Sequence, residues 1–247
     1  MPGRKGRYAV YKDFKQFKQE KDIRGMDEIC INSDGEFKLQ VQQEFLKEFV
    51  NINFEEWKHL LFYHEIGSGK TCTAITVAEE FLKKSVDNRV TIILPARLRT
   101  NFLDELISPC AFDKYISRED FVKYKSSSTP VEEKSVIQNG FMKKINSIYN
   151  IMSYEKFVKT MQDNGANIQD FIKEFTKNNL MIIDEVHNLF STGYDITVYN
   201  KIFSSGVLVP RTKGLSVILL NLISHWCDES CKMIFLTATP IFNDLHL

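Results

Sequence analysis

Residues 64 to 71 read His-Glu-Ile-Gly-Ser-Gly-Lys-Thr and follow directly on the apolar run Leu60–Tyr63. Two glycines, a lysine and a threonine at this spacing can cradle phosphate. Gly67 and Gly69 let the backbone turn so that its N–H groups face an anion. A helix opening at Lys-Thr would add its positive end to the same point. In such a loop Lys70 reaches the β- and γ-phosphates of a nucleoside triphosphate, and the Thr71 hydroxyl binds Mg²⁺. Ser68 sits between the glycines. His64 stands where the general G-x-x-x-x-G-K-[ST] pattern has its first glycine. Short glycine-rich stretches also arise by chance, so the octet needs a partner.

That partner is Leu-Met-Ile-Ile-Asp-Glu-Val-His-Asn, residues 180–188. An apolar strand here ends in two adjacent carboxylates. At the tip of a parallel strand Asp184 would hold Mg²⁺, directly or through water, and Glu185 would orient and deprotonate an attacking water. In isolation such a pair is an ordinary acidic loop. Behind a phosphate loop it tilts the chemistry toward hydrolysis, since transfer to another acceptor needs no water-activating glutamate. A third run, residues 233–243, is again apolar and breaks into Thr237-Ala238-Thr239-Pro240.

The elements that must position these groups are legible in outline. Five short apolar runs, Leu60–Tyr63, Val90–Leu94, Ser147–Met152, Leu180–Ile183 and Met233–Leu236, have the near-continuous hydrophobicity of strands buried on both faces. Helix-like stretches follow them at Thr71–Lys84, Thr100–Ile107, Ser153–Met161, Ile168–Phe175 and Leu215–Trp226. The alternation predicts an α/β fold with a doubly wound, mostly parallel sheet. Residues 108–144 and 191–214, rich in turn formers, are expected to be surface insertions whose order the sequence leaves open.

The 247 residues suit one large α/β domain, and the 43% hydrophobic and 26% charged content is that of a globular protein. No apolar stretch approaches a membrane span, and the N-terminus lacks the apolar core of a secretory signal, so no membrane partner is expected. Residues 1–24 hold eight Lys/Arg against Asp13, Glu20 and Asp22. Such a basic leader can touch nucleic acid or can be a solvated tail. The five cysteines are odd in number and scattered, which suits an intracellular, reducing compartment. His225, Cys227 and Cys231 lack the complementary pair of a four-ligand zinc site.

Taken together, Gly-Ser-Gly-Lys-Thr, Asp-Glu-Val-His and Thr-Ala-Thr resemble motifs I, II and III of superfamily 2 helicases, in the family's order and at its strand positions. The resemblance covers most of residues 37–247 and implies a P-loop NTPase fold, the first RecA-like domain of such a motor, behind a leader over residues 1–36. It implies ATP and Mg²⁺ as ligands and Glu185, Lys70 and Asp184 as the catalytic group. Gln42, in Lys-Leu-Gln-Val-Gln-Gln-Glu-Phe, corresponds to the adenine-recognition glutamine, with Gln40 and Val41 in place of the usual proline and aromatic residue. Leu94–Leu106 looks like motif Ia and Asn150–Phe157 like motif Ib, giving Arg97, Arg99 and Ser153 as contacts to a DNA or RNA backbone. Solvated arginines and a simple helix cap are the plain alternatives there. His187, Thr237 and Thr239 become couplers to the second motor domain, although a histidine merely satisfied beneath the sheet tip fits His187 too.

The His-x-x-Gly-x-Gly-Lys-Thr form with Asp-Glu-Val-His-Asn is similar to helicase-like ATPases of large DNA viruses, including the poxvirus-type early transcription factor small subunit and nucleoside triphosphatase I. That likeness implies a viral RNA polymerase as a partner and action in host cytoplasm, virus factory and virion. The chain ends at Leu247, just past motif III, so the resemblance calls for a second RecA-like domain in cis or trans. Without it, the same motifs would make a docking module with weak or absent hydrolysis.

Overall fold

The computed structural model describes residues 37–64, 67–111, 113–164, 167–187, 220 and 222–238. Five strands, β1 His59–Tyr63, β2 Arg89–Leu94, β3 Tyr149–Ser153, β4 Asn179–Ile183 and β5 Lys232–Thr237, form one sheet in the order β1-β5-β4-β2-β3. Every neighbouring pair is parallel. All five C-terminal ends therefore lie along a single edge, where open α/β sheets place their ligands.

The strands are accompanied by the helices α1 Val41–Ile52, α2 Lys70–Leu82, α3 Arg99–Leu106, α4 Arg118–Lys125, α5 Val131–Asn146, α6 Tyr154–Asp163 and α7 Ile168–Thr176. Strand side chains alternate between two cores. Phe62, Ile92, Leu94, Leu180, Ile182, Ile234 and Leu236 face one, with α1, α2, α3 and α5 over them. Ile93, Met152, Met181, Ile183 and Met233 face the other, beneath α6 and α7. Both faces of β2, β4 and β5 are covered, as their continuous apolar runs predict, whereas Leu61 and Tyr63 of the edge strand β1 are exposed. β4 is buried at all five positions, which explains why its sequence shows no alternation.

Residues 108–144, whose order the sequence left open, carry two helices, with Ser126–Pro130 as the connection. Ser117 caps α4 by accepting the Asp120 amide at 3.1 Å. α5 starts after Pro130 with Glu132 and Glu133 and ends with Lys143 and Lys144, as the helix dipole favours. Phe141 and Ile145 of α5 are buried, and Tyr124 meets Phe141 edge-on at 5.2 Å. The start of this segment is pinned to α2. Glu79, 2% exposed, accepts from Tyr115 (2.6 Å), Tyr149 (2.7 Å) and Lys114 (2.7 Å). Three donors, one of them cationic, compensate the cost of burying that charge. A Cys72–Cys110 disulfide joins the same two regions. Two of the scattered cysteines are thus bonded, contrary to the expectation of reduced thiols.

The leader 1–36, the stretch 191–214, residues 215–219 and 221 of the expected last helix, and Thr239 lie outside the described residues; residues 222–226 are helical. Among the described residues no helix is long and apolar enough to cross a membrane.

Candidate functional site

The phosphate loop leaves the tip of β1 and enters α2 at Lys70. Gly67 and Gly69 both take positive φ, 82° and 78°. A Cβ at Gly69 would also come within 2.6 Å of Gln43 Nε2, so the Gln43 amide would have to move away. Gly69 is the N-cap of α2 in left-handed conformation, so the first turn of that helix, with Lys70 and Thr71, points at the loop. α2 buries ten of its thirteen residues, which fixes its direction. His64 needs no glycine's freedom, because its N–H continues the sheet ladder to Thr237 O at 3.1 Å. Its Nδ1 lies 3.2 Å from Ser68 Oγ, tying the start of the loop to its middle. Burial, reinforced by the Lys70 charge, lowers the His64 imidazole below its usual value of 6.5, so the ring is neutral at physiological pH.

β5 stands between the phosphate-loop strand and the acidic strand, and Lys70 reaches across its end. The Lys70 ammonium lies 3.0 Å from Asp184 Oδ1 and is hydrogen-bonded to Glu185 Oε1. One ammonium therefore faces two carboxylates that are largely shielded from water. Burial pushes the Asp184 carboxyl above the usual carboxylate range, with Lys70 opposing the shift. The second carboxylate oxygen, Glu185 Oε2, is buried and accepts no hydrogen bond, with His187 Nδ1 3.3 Å away. The local excess of negative charge, two hard oxygen donors and a threonine hydroxyl at the helix start suit Mg²⁺, which would be held by Thr71 and Asp184.

Glu185 occupies the left-handed region, φ 54°, unusual for a residue with a side chain. Hydrogen bonds on both sides maintain that turn. Asp184 N–H donates to Ile93 O of β2 (2.8 Å), Glu185 N–H to Asp184 Oδ1 (2.9 Å), and Val186 N–H to Leu236 O of β5 (2.9 Å). The Tyr154 hydroxyl donates to Asp184 O and approaches Glu185 O at 3.2 Å. His187 Nδ1 lies 3.1 Å from Thr237 Oγ1. Thr237 thus links the phosphate-loop entry, through its carbonyl, with the acidic turn, through its hydroxyl.

Arg97, in a short 3-10 turn over Ala96–Leu98, and Arg99, which opens α3, are exposed after β2. Leu94 is in register with Ser153, so these arginines and Ser153 share one end of the β2–β3 pair. Ser153 caps α6, accepting the Lys156 amide at 3.2 Å.

Gln42 turns its amide to Gln40 Oε1, whereas Gln43 is fully buried and reaches the loop, its Nε2 3.4 Å from Gly69 O. Gln43 Oε1 also accepts the Gln40 amide at 2.9 Å, which holds the side chain in place. Counted from Leu39, L-x-P-Y-Q ends at Gln43, with Val41 and Gln42 in place of the proline and aromatic residue. Tyr154 is a residue that the sequence alone does not single out. Nothing in its local pattern separates it from any tyrosine at a helix start.

Comparison with known proteins agrees with this geometry. The family model "Type III restriction enzyme, res subunit" matches residues 37–242. A protein of Acanthamoeba polyphaga mimivirus, provisionally named an ATP-dependent RNA helicase, is 35% identical over 217 residues, 87% of this chain and 32% of its own length. A second from the same virus, with the same provisional name, is 26% identical over 85% of this chain and 18% of its own length. A provisionally named helicase of Invertebrate iridescent virus 3 is 24% identical over 82% and 19% respectively. The chain therefore spans about a third or less of these relatives. Among solved structures, the Type ISP restriction-modification enzyme LlaGI in complex with a DNA substrate mimic aligns with TM-score 0.40 and 20% identity, over 82% of this chain and 18% of that one. The UvsW helicase of bacteriophage T4 aligns with TM-score 0.38 and 14% identity, over 92% and 60%. The sheet, the motif order and a family match over residues 37–242 lead to one conclusion: the chain belongs to the type III restriction enzyme res subunit family, as a RecA-like, helicase-type ATPase domain of superfamily 2.

Proposed function

We infer that this domain binds ATP with Mg²⁺ and hydrolyses it together with a second RecA-like domain, coupling turnover to movement along a DNA or RNA backbone. The observation that carries the reading is Lys70 held between Asp184 and Glu185 across the end of β5. Phosphate contact, metal ligation and water activation are the three roles hydrolysis requires, and these residues supply one each. Bound Mg²⁺ supplies neutralisation of phosphate charge. Glu185 Oε2, buried and accepting no hydrogen bond, is suited to take a proton from water. Gln43, against Gly69, replaces Gln42 as the residue proposed to read adenine. The shared end of β2 and β3 supports backbone contact by Arg97, Arg99 and Ser153. The viral relatives support a role in viral transcription or genome handling for the full-length protein.

The test is calorimetry of ATP–Mg²⁺ binding to the protein and to Lys70→Ala. The variant is expected to lose most of the affinity, because the phosphates lose their cationic partner. Equal affinity in the two proteins would overturn the reading.

A further inference from the structure

We propose that Tyr154 is a positioning residue that couples the nucleic-acid-facing end of β3 to the water-activating turn at Glu185; this rests on the function proposed above. Three features place it there. First, Tyr154 immediately follows Ser153, the last residue of β3 and the cap of α6. A shift of the backbone at Ser153 therefore moves the first turn of α6 and Tyr154 with it. Second, the Tyr154 hydroxyl hydrogen-bonds the Asp184 carbonyl and lies 3.2 Å from the Glu185 carbonyl, thirty residues away in sequence. Third, the turn it holds is the one described residue pair where strain and chemistry coincide. Glu185 sits at φ 54°, and its side chain meets Lys70 and His187.

The division of labour around the turn is specific. Its amides are held by β2, by Asp184 itself and by β5, all parts of the motor's rigid sheet. Its carbonyls are met from α6, a helix whose start lies beside the Arg97–Arg99 segment across the Leu94–Ser153 register. A backbone in an unfavourable φ relaxes when its hydrogen bonds are lost, and that would swing the Glu185 carboxylate. The phenol is well suited to the task. A tyrosine hydroxyl carries its proton at physiological pH and can donate to a carbonyl. Phenylalanine would keep the ring packing and remove only the donor. Hence one link between nucleic acid and hydrolysis runs through this hydroxyl.

The experiment is steady-state ATPase of the full-length protein and its Tyr154→Phe variant, with and without saturating single-stranded nucleic acid. KM for ATP and the dissociation constant for the strand are measured alongside. Losing one hydrogen bond that matters in the transition state is expected to lower stimulated kcat about 5- to 10-fold and to shrink the ratio of stimulated to basal turnover. KM and strand affinity should stay within about twofold, since no substrate contact is removed. A wild-type stimulation ratio in the variant would overturn the inference and leave the proposed function standing. Proportional loss of basal and stimulated turnover, with a lower melting temperature, would also overturn it, as the sign of a merely structural hydroxyl. If wild-type hydrolysis ignores nucleic acid while Lys70→Ala abolishes it, the proposed nucleic-acid role falls, and the coupling with it.

Discussion

His187 Nδ1 stands 3.1 Å from Thr237 Oγ1, joining the residue that follows the acidic turn to the tip of the adjacent strand β5. The same nitrogen is 3.3 Å from Glu185 Oε2, and the Thr237 carbonyl accepts the His64 amide. A displacement at the phosphate loop can thus reach Glu185 through two residues. His187→Ala and Thr237→Val should each lower nucleic-acid-stimulated ATPase while sparing ATP affinity. The double variant should be no worse than the more damaging single one, with a coupling energy of about 0.5–3 kcal/mol between neighbours. Strictly additive losses in that cycle would show that the contact carries nothing.

Arg97 and Arg99 are exposed at the end of β2, beside Ser153. Contacts from such a surface to sugar and phosphate are salt-sensitive and nearly sequence-blind. Fluorescence anisotropy at two salt concentrations should therefore show weaker binding for the double change Arg97→Ala, Arg99→Ala. Its salt slope should be flatter by roughly 0.7–0.9 per lost phosphate contact, with ATP affinity untouched. Binding of single strand and duplex as tight as wild type, at both salts, would shift attention to the basic leader.

Asp184 should trade stability for function. Its folded-state pKa is raised above 3.8, chiefly by burial. The folded state therefore holds the proton more tightly than the unfolded chain. The stability this group contributes is fully present below pH 3.8 and is lost as pH rises through the folded value. Asp184→Asn removes that cost and leaves Lys70 paired with Glu185. The variant should melt higher than wild type at pH 7 without ligand, by roughly 2–4 °C for each kcal/mol relieved. The gap should close in acid, and Mg²⁺–ATP should no longer stabilise the variant. A lower melting temperature at pH 7 would mean that the Lys70 pairing outweighs burial.

The parts visible in the sequence were those with a strong period or a strong motif. The central strands were legible because burial on both faces leaves a continuous apolar run, and Asn179–Ile183 is the extreme case, whereas the edge strand β1 has an apolar run although Leu61 and Tyr63 are exposed. The phosphate loop and the acidic pair were legible because few other arrangements perform their chemistry. The two helices of the 108–144 insertion were not read because Ser126–Pro130 is dense in turn formers, although the Ser117 cap and Pro130 followed by glutamates are local signs of them. Gln43 stands one step beyond Gln42, and its approach to Gly69 agrees with the count from Leu39. Tyr154 and the Cys72–Cys110 pair were out of reach for another reason: each depends on contacts between segments that nothing in the local sequence relates.

Hydrolysis by Glu185 is the central claim, and the most direct measurement is turnover by Glu185→Gln in the full-length protein, with ATP affinity measured on the same sample. The substitution keeps the side-chain size and removes the base beside Lys70. Affinity near wild type with turnover lower by about 10²- to 10⁴-fold is the expected result. Turnover equal to wild type at equal affinity would contradict the account, because the water would then be activated by some other group.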